Sequence, residues 1–420
     1  MPFELIIGLR YLKAKRKSTF ISIITFISTA GVVLGVMALI VVLAVMTGFE
    51  SDLKEKILGT NAHLVVIRSG SQMENYRQLM DKLKEFKGVQ AATPFIYNQV
   101  MLSSGKNVSG VVLRGIDIAT DRQVTRLSKS IVEGSIARLD PDMSRGADAT
   151  PGLLVGKELA KHLNLFVGDK VNVISPMGNI TPLGMMPRMK SFKVAGIFNT
   201  GMFEYDSTLA YVSLGQAQSF FDLGDTVTGI QLKVNDVYHT GELARTINRE
   251  LGAKFYARDW MQMNRNILFA LKTEKIVMFI ILTLIVLVAA FGIASTLFMV
   301  VMEKTRDIAI LKSMGATGGS IMKIFVLEGL IIGVIGTILG VASGLLVALN
   351  LESIINVIQK ITGQNFFSKD IYYLDHFPSL VVPSDVVLIS VTAVLISFIA
   401  TLYPSWQASR MLPAEALRYE

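Results

Sequence analysis

Cysteine is absent from all 420 residues of the sequence. A chain without thiols forms no disulfide framework and supplies no thiolate metal ligand or catalytic cysteine. The absence is compatible with an oxidising compartment, although it does not by itself locate the chain in one.

Charged side chains are missing from four long stretches, although 18% of all residues are charged. About 20 residues cross the hydrocarbon core of a bilayer as a helix, so each stretch predicts a transmembrane helix. The first stretch exceeds the apolar region of a signal peptide, and no small-x-small cleavage site follows it, so it is interpreted as a retained anchor. The predicted spans are Phe20–Thr47, Ile276–Met302, Gly329–Leu351 and Val386–Ser409.

Signatures of nucleotide and catalytic sites are missing as well. The sequence has no G-x-x-x-x-G-K-[ST] phosphate loop, no H-E-x-x-H metal motif and no G-x-S-x-G nucleophile turn. The sequence therefore predicts no enzyme, no metal site and no cofactor. Because the predicted spans hold no ionisable residue, an ion-coupled transporter is disfavoured too. The histidines are isolated and are interpreted as structural or surface residues: His63, His162, His239 and His376.

Positive charge is distributed unevenly around the predicted spans. Basic flanks remain in the cytoplasm, so both termini and the loop between the second and third spans are predicted to be cytoplasmic, and residues 48–275 extracytoplasmic. Because these basic residues cluster beside the predicted spans, the net charge of +8 does not indicate a nucleic-acid-binding protein. The basic residues are Arg10, Lys13, Lys15, Arg16 and Lys17 before the first span, and Lys304, Arg306, Lys312 and Lys323 before the third.

The sequence between the first two spans is typical of a globular domain. Alternation and turn residues predict an α+β domain with an inserted, mostly β subdomain at about residues 120–225. The first span helix is expected to continue to Leu58, and the second to begin near Trp260–Lys275, as a stalk. Strand candidates are Ala62–Arg68, Val108–Ile116, Gly229–Val234 and Ala253–Tyr256, and helix candidates are Met73–Phe86 and Thr240–Leu251.

The predicted fold class is thus a membrane α-helical protein with four transmembrane helices plus an α+β domain. The chain divides into a cytoplasmic interfacial segment, four spans, the large domain with its stalk ends, a cytoplasmic loop, a second outer loop and a cytoplasmic end. In chain order these segments are 1–19, 20–47, 48–275, 276–302, 303–328, 329–351, 352–385, 386–409 and 410–420.

One segment of the large domain has an unusual composition. Residues 176–190, between strand candidates Lys170–Ser175 and Ser191–Phe198, contain three prolines, two glycines and four methionines. Proline and glycine predict a loop, and flexible methionines on an exposed loop suit an apolar partner. Composition leaves two interpretations open, a binding loop or a hairpin tip folded back on its own domain.

The loop after the second span, Glu303–Ala316, is charged at its start and then amphipathic. Ile308, Leu311 and Met314 recur at three-residue steps, which predicts an apolar stripe on one face of a helix. Such a stripe fits either the membrane surface or a groove on a soluble partner.

Glycines recur at four-residue steps in two of the predicted spans. Small residues at this spacing let helix backbones approach closely, either within one chain or at a dimer seam. They are Gly31 and Gly35 in the first span, and Gly336, Gly340 and Gly344 in the third.

Several of these segments together resemble a known family. The start I-G-L-R-Y-L, the segment V-M-T-G-F-E, the loop E-K-T-R-D-I-A-I-L-K-S-M-G-A and the ending T-L-Y-P-S-W-Q-A-S-R-M-L-P-A-E-A-L-R-Y-E are similar to those of the lipoprotein-releasing Lol permeases of LolC/LolE type. These belong to a wider group of MacB-like and FtsX-like permeases. The resemblance runs essentially end to end and implies a MacB-like permease in the bacterial inner membrane.

The resemblance implies a function and a set of partners. The chain would be a permease subunit of an ABC transporter that passes acylated lipoproteins from the outer leaflet of the inner membrane to a periplasmic LolA-like carrier. A second permease subunit and a separate LolD-like ATPase would complete the transporter. Lipoprotein would enter from the membrane lipid into a cavity between the long first and second helices.

The resemblance also implies roles for individual residues. A hook for the carrier would comprise Thr181, Pro182, Leu183, Gly184, Met185, Met186 and Pro187. The ATPase would couple through Glu303, Arg306, Asp307, Ile308, Leu311, Met314 and Gly315. Lipoprotein would contact Met46, Phe49, Ile371, Tyr372 and Leu374.

One feature departs from a simple assignment to either permease type. The hook is a LolC-type feature, whereas Phe366–Pro378 is similar to the LolE-type subunit. A chain that carries both suggests a permease that works as a homodimer.

Two alternatives share the predicted topology. A MacB-like exporter of peptides or small molecules usually carries its ATPase in the same chain, which this sequence does not. An FtsX-like regulator of a cell-wall hydrolase would not need the methionine-rich hook. The hook therefore discriminates between this regulator and a lipoprotein permease.

Overall fold

The computed structural model describes Glu4, Ile7 and residues 19–70, 72–140, 150–181, 184–363 and 378–412. The chain divides into two compact units, with boundaries at Ser51/Asp52 and Leu268/Phe269. One unit contains apolar helices, and the other, within residues 52–268, contains the sheet.

The described residues form thirteen α-helices and ten strands. The helices are α1 (Thr19–Thr60), α2 (Tyr76–Lys84), α3 (Ile118–Val124), α4 (Lys157–Leu163), α5 (Phe203–Thr208), α6 (Leu214–Phe221), α7 (Thr240–Leu251), α8 (Trp260–Met263), α9 (Arg265–Glu303), α10 (Thr305–Ser313), α11 (Gly318–Leu349), α12 (Leu351–Thr362) and α13 (Pro383–Arg410). The strands are β1 (Leu64–Arg68), β2 (Val89–Ser104), β3 (Asn107–Ile116), β4 (Ile131–Gly134), β5 (Gly152–Gly156), β6 (Lys170–Thr181), β7 (Gly184–Phe198), β8 (Leu209–Ser213), β9 (Gly229–Val234) and β10 (Phe255–Asp259).

Four helices of the described chain, α1, α9, α11 and α13, are long and apolar enough to cross a membrane. The fold class predicted from the four uncharged stretches is therefore confirmed. Helices α1 and α9 have 42 and 39 residues. At about 1.5 Å per residue they extend roughly 60 Å, about twice the thickness of a hydrocarbon core.

Helix α11 extends beyond the N-terminal end of the predicted span Gly329–Leu351. It begins at Gly318, because the Thr317 hydroxyl accepts a hydrogen bond from the Ser320 amide and caps the first turn. The helix therefore includes Lys323 and Glu328, so the apolar helices are not free of ionisable residues. Glu328 is only 3% exposed.

The glycine repeats pack helices of the same chain against one another. A methyl group placed on Gly35 would lie 3.2 Å from Val286 Cγ2 on α9, and one on Gly340 would lie 2.7 Å from Val36 Cβ on α1. The Ser28 and Thr296 hydroxyls also join α1 and α9 through a 2.6 Å hydrogen bond. The glycines thus serve packing within the bundle, which was one of the two interpretations of their spacing.

Replacement of Gly340 by alanine is expected to destabilise the bundle by about 1–3 kcal/mol, because the new methyl group overlaps Val36. Denaturation with sodium dodecyl sulfate in mixed micelles would measure the loss. Gly292→Ala is the matched control, since its methyl group would lie 3.6 Å from Ser28 Oγ, an ordinary contact. Equal stability of the two variants would contradict the close packing described here.

The strands of the α/β unit join in one ten-stranded sheet with the order β10-β1-β9-β2-β3-β8-β5-β7-β4. Strand β6 lies off this path and pairs with both β2 and β7. The pairings therefore close a ring through β2, β3, β8, β5, β7 and β6. Two of these pairs, β3 with β8 and β5 with β7, are parallel.

The ring changes the interpretation of residues 120–225 as an inserted subdomain. Its strands do not form a separate sheet, because β6 and β8 pair with the flanking strands β2 and β3. The main hydrophobic core is likewise shared, since it contains Leu64 and Leu232 from the flanking strands together with Leu153 and Phe192 from the middle. Burial of this common core holds the unit together.

Candidate functional site

The methionine-rich segment forms the end of a long β-hairpin rather than a loop. Strands β6 and β7 pair from Lys170↔Lys193 out to Thr181↔Gly184. The register shifts between Ser175 and Asn179. Pro176 lies within this irregular part of β6, and Pro187 lies opposite it on β7. Proline has no backbone N–H to donate, so both prolines are tolerated where the regular pairing of the two strands is interrupted. Composition predicted a loop because the prolines interrupt the sequence pattern of a strand. In the structure, β6 and β7 remain paired on both sides of the prolines.

Polar contacts fix the hairpin near its base. The Arg188 guanidinium donates a 3.3 Å hydrogen bond to the Phe220 carbonyl and forms a 3.1 Å ion pair with Asp222 at the end of α6. The Lys190 ammonium donates to Gln216 Oε1 at 2.9 Å on the same helix. Partial burial lowers the pKa of Lys190. These contacts orient the strand from which the methionine-rich end projects.

The predicted hook residues occupy the far end of this hairpin. Thr181 and Gly184 end the two strands, Met185 is paired with Ile180, and Met186 with Asn179. Pro182 and Leu183 lie outside the described residues. The side chain of Met186 is 59% exposed, and Pro187 is exposed as well. An exposed thioether on a fixed hairpin offers an adaptable apolar contact to a partner.

Helix α10 lies between α9 and α11 in the chain and is packed against the helical unit. Ile308 is 1% exposed within a cluster that includes Val301, Ile324 and Ala408, and Leu311 packs against the same cluster. The Lys312 ammonium donates hydrogen bonds of 2.7 Å to the carbonyls of Ser409 and Met411 at the end of α13. The helix is thus held on one side.

The free side of α10 differs from the stripe predicted from sequence. Met314 is 80% exposed, whereas Ile308 and Leu311 face the bundle, so the three residues do not share one face. The helix ends at Ser313, and Met314 is its C-cap residue. Ile310, which the sequence reasoning missed, is 43% exposed. Its four-residue spacing to Met314 was the signal that could have identified it.

The charged members of the predicted coupling set lie at the start of this segment. Glu303 and Arg306 are exposed. Asp307 forms a 3.4 Å ion pair with Lys304, the residue that separates α9 from α10. Gly315 has a φ of +102°, a conformation that side chains rarely adopt and that suits the turn after the helix. Arg306, Ile310 and Met314 therefore form the exposed face, which we call the α10 face.

The residues predicted to contact lipoprotein are only partly described. Met46 is half-buried and Phe49 is 36% exposed, both on α1. Ile371, Tyr372 and Leu374 lie outside the described residues.

Residues 378–380, near the end of the segment predicted as the second outer loop, contact α1 beside Met46 and Phe49. The Leu380 amide donates a 2.9 Å hydrogen bond to the Ala44 carbonyl. A methyl group on Gly48 would lie 2.7 Å from the backbone of Pro378. At the same level the Lys275 ammonium forms a 2.9 Å ion pair with Asp385. It also donates to Thr47 Oγ1 at 3.2 Å, so α9, α1 and α13 are joined there.

The described histidines differ in their surroundings, and His162 is exposed. His63 accepts a 3.2 Å hydrogen bond from the Val234 amide through Nδ1, and burial lowers its pKa. His239 was interpreted as isolated, but its Nδ1 lies 2.8 Å from Asp236 Oδ2, and this hydrogen bond raises its pKa. Within the described parts of the chain, no three histidine, aspartate or glutamate side chains lie together in a metal-binding group.

Comparison with known proteins adds two family models and several relatives. A model of the MacB-like periplasmic core domain matches residues 25–250, and one of the FtsX-like permease C-terminal region matches residues 279–413. The lipoprotein-releasing system transmembrane protein LolC of Neisseria meningitidis serogroup B is 39% identical, covering 99% of this chain and 98% of its own.

Relatives of both permease types align over nearly the whole chain. LolC of Xylella fastidiosa is 38% identical and covers 100% of this chain and 99% of its own. LolE of Haemophilus influenzae is 28% identical and covers 98% of each chain. This chain therefore belongs to the LolC/LolE family of lipoprotein-releasing transmembrane proteins.

Proposed function

We propose that this chain is the permease subunit of an ABC transporter that extracts acylated lipoproteins from the outer leaflet of the bacterial inner membrane. The observation that carries the proposal is the end-to-end similarity to a lipoprotein-releasing LolC at 39% identity. Four apolar helices and the large α/β unit supply the membrane-spanning and external parts that this task needs.

The energetics of the task explain the partners in the proposal. Each buried CH₂ group of an acyl chain is worth about 0.8 kcal/mol, so removing two or three chains from a bilayer costs tens of kcal/mol. A separate LolD-like ATPase supplies the energy, and a periplasmic LolA-like carrier receives the acyl chains on a hydrophobic surface. The permease itself hydrolyses nothing.

Two surfaces of the chain are assigned to these partners. The methionine-rich hairpin end, with exposed Met186, is assigned to the carrier. The α10 face, with exposed Ile310 and Met314, is assigned to the ATPase. With α10 in the cytoplasm, both termini are cytoplasmic and the α/β unit is periplasmic, in agreement with the basic flanks.

The second permease subunit in the proposal is an identical copy of this chain. The combination of the LolC-type hook Thr181–Pro187 with the LolE-like segment Phe366–Pro378 in one sequence supports this assignment. Obligatory co-purification of a different permease would refute it.

Affinity purification of the tagged permease from detergent-solubilised membranes, followed by mass spectrometry, tests the function. Addition of periplasmic extract supplies the soluble partners. Recovery of an ATPase, a LolA-like carrier and acylated lipoproteins is expected. Recovery of the ATPase with a cell-wall hydrolase or an outer-membrane tunnel protein instead would overturn the proposed cargo.

A charged residue at position 49 is expected to weaken the contact with lipoprotein. Phe49→Asp places a carboxylate on the partly exposed surface of α1, where acyl chains are proposed to enter. Photo-crosslinking of lipoprotein to the permease should fall at least several-fold, while Phe49→Leu retains it. Crosslinking at the wild-type level in Phe49→Asp would remove Phe49 from the site.

A further inference from the structure

Helix α12 is an amphipathic helix that the proposed function does not use. At 3.6 residues per turn its apolar side chains fall within an arc of roughly 160°, and its charged residues Glu352 and Lys360 lie on the opposite side. The apolar residues are Leu351, Ile354, Ile355, Val357, Ile358 and Ile361.

The apolar side of α12 is half-buried at Leu351, Ile354 and Ile355 and exposed along the rest of its length in the described structure. None of its residues is buried. Val357 is 55% exposed, Ile358 44% and Ile361 79%. Several adjacent aliphatic side chains open to water are unfavourable, so this face requires an occupant.

The position of α12 in the chain indicates that occupant. Helix α11 carries no charge from Gly329 to its end at Leu349. At about 1.5 Å per residue this part extends roughly 32 Å, which matches a hydrocarbon core of about 30 Å. Leu349 therefore lies at the boundary between hydrocarbon and headgroups, and α12 begins two residues later, at Leu351.

The junction also shows that α12 does not simply prolong α11. Asn350 has a φ of −110° and a ψ of 17°, which is not helical, and it serves both as the C-cap of α11 and as the N-cap of α12. An amphipathic helix that starts at the membrane boundary after such a break has the pattern of a helix lying in the interface plane.

We propose that α12 lies on the membrane surface, with its apolar side inserted among the lipids of the leaflet in which α11 ends. The inserted side chains would reach about 5–10 Å into the boundary between headgroups and acyl chains. Glu352 and Lys360 would remain in the aqueous phase. The proposal does not depend on the cargo of the transporter, so it stands or falls separately from the proposed function.

Site-directed spin labelling tests the position of α12 directly, because the chain has no cysteine of its own. Single cysteines at Val357 and Ile361 report the apolar side, and single cysteines at Glu352 and Lys360 report the polar side. Each nitroxide-labelled full-length permease is reconstituted into vesicles of phosphatidylethanolamine and phosphatidylglycerol. Collision with oxygen, which concentrates in lipid, is compared with collision with a water-soluble nickel chelate.

Labels at Val357 and Ile361 are expected to collide more with oxygen than with the chelate, and labels at Glu352 and Lys360 more with the chelate. A label at Ile335 on α11, which is 47% exposed, serves as the lipid reference, and one at Lys106 in the β2–β3 turn serves as the aqueous reference. The references also show that a labelled chain is inserted and folded.

Three outcomes would overturn the proposal. Preferential collision with the chelate at Val357 and Ile361 would place the apolar side in water. Low collision with both reagents would place it under protein. Spin–spin broadening that disappears on dilution with unlabelled permease would identify a second copy of the chain as the occupant.

Discussion

Replacement of Pro182–Pro187 by glycine and serine is expected to abolish capture of the LolA-like carrier while the permease still inserts into the membrane. The change removes Met185 and Met186 from the hairpin end, and Met186 is 59% exposed. Central apolar contacts of protein interfaces contribute about 2–4 kcal/mol each, so losing even one of them weakens binding by roughly thirtyfold to a thousandfold. A pulldown of purified carrier on the tagged permease measures the effect.

The matched control lies in another hairpin of the same domain. Lys106 and Asn107, at the turn between β2 and β3, are exposed and can be changed to glycine and serine. This variant should capture the carrier like the unchanged protein. Arg188 stays intact in both variants, so the contacts with Phe220 and Asp222 that hold the hairpin are preserved. Unchanged capture after the Pro182–Pro187 replacement would refute the hook.

Substitution of Ile310 by aspartate is expected to reduce association with the ATPase by at least about thirtyfold. A hot-spot residue contributes about 2 kcal/mol or more, and a buried carboxylate without a partner adds a further cost. Met314→Asp should have a similar effect, because Met314 is 80% exposed on the same face. Permease-stimulated ATP hydrolysis and co-purification of the ATPase both measure the association.

Two further variants separate docking from folding. Leu412→Asp introduces the same charge at an exposed apolar residue beyond α13 and should leave the association unchanged. Ile308→Asp should instead destabilise the permease itself, because Ile308 is 1% exposed within the bundle. The assignment of the α10 face fails if Ile310→Asp retains the ATPase, or if it unfolds the chain as Ile308→Asp does.

Hydropathy predicted the membrane helices well, because burial in lipid requires long uncharged runs. It does not give the bounds of the helices themselves, since Lys323 and Glu328 end the uncharged run while helix α11 begins further upstream, after the cap at Thr317. Whether a carboxylate such as that of Glu328 is buried depends on the helices packed around it, which hydropathy does not reveal. Its Oε2 atom is buried without a hydrogen-bond partner among the described residues.

The hairpin and α10 show why the site was only partly predictable. Strands β6 and β7 persist past Pro176 and Pro187 because pairing between distant residues continues on both sides of the bulge, which local propensity does not reveal. On α10 the three-residue steps identified apolar residues correctly. They grouped Met314 with Ile308, although Ile308 is buried in the cluster that contains Phe325 and Ala408 and Met314 is exposed.

Lys312 connects the short helix α10 to the end of α13. Its ammonium donates hydrogen bonds to two carbonyls at the end of α13, so the side chain joins the last turn of α10 to the last turn of α13. Covalent connection already ties α10 to α9 and α11. A force applied to the α10 face would therefore reach three long helices, α9, α11 and α13, at the same time.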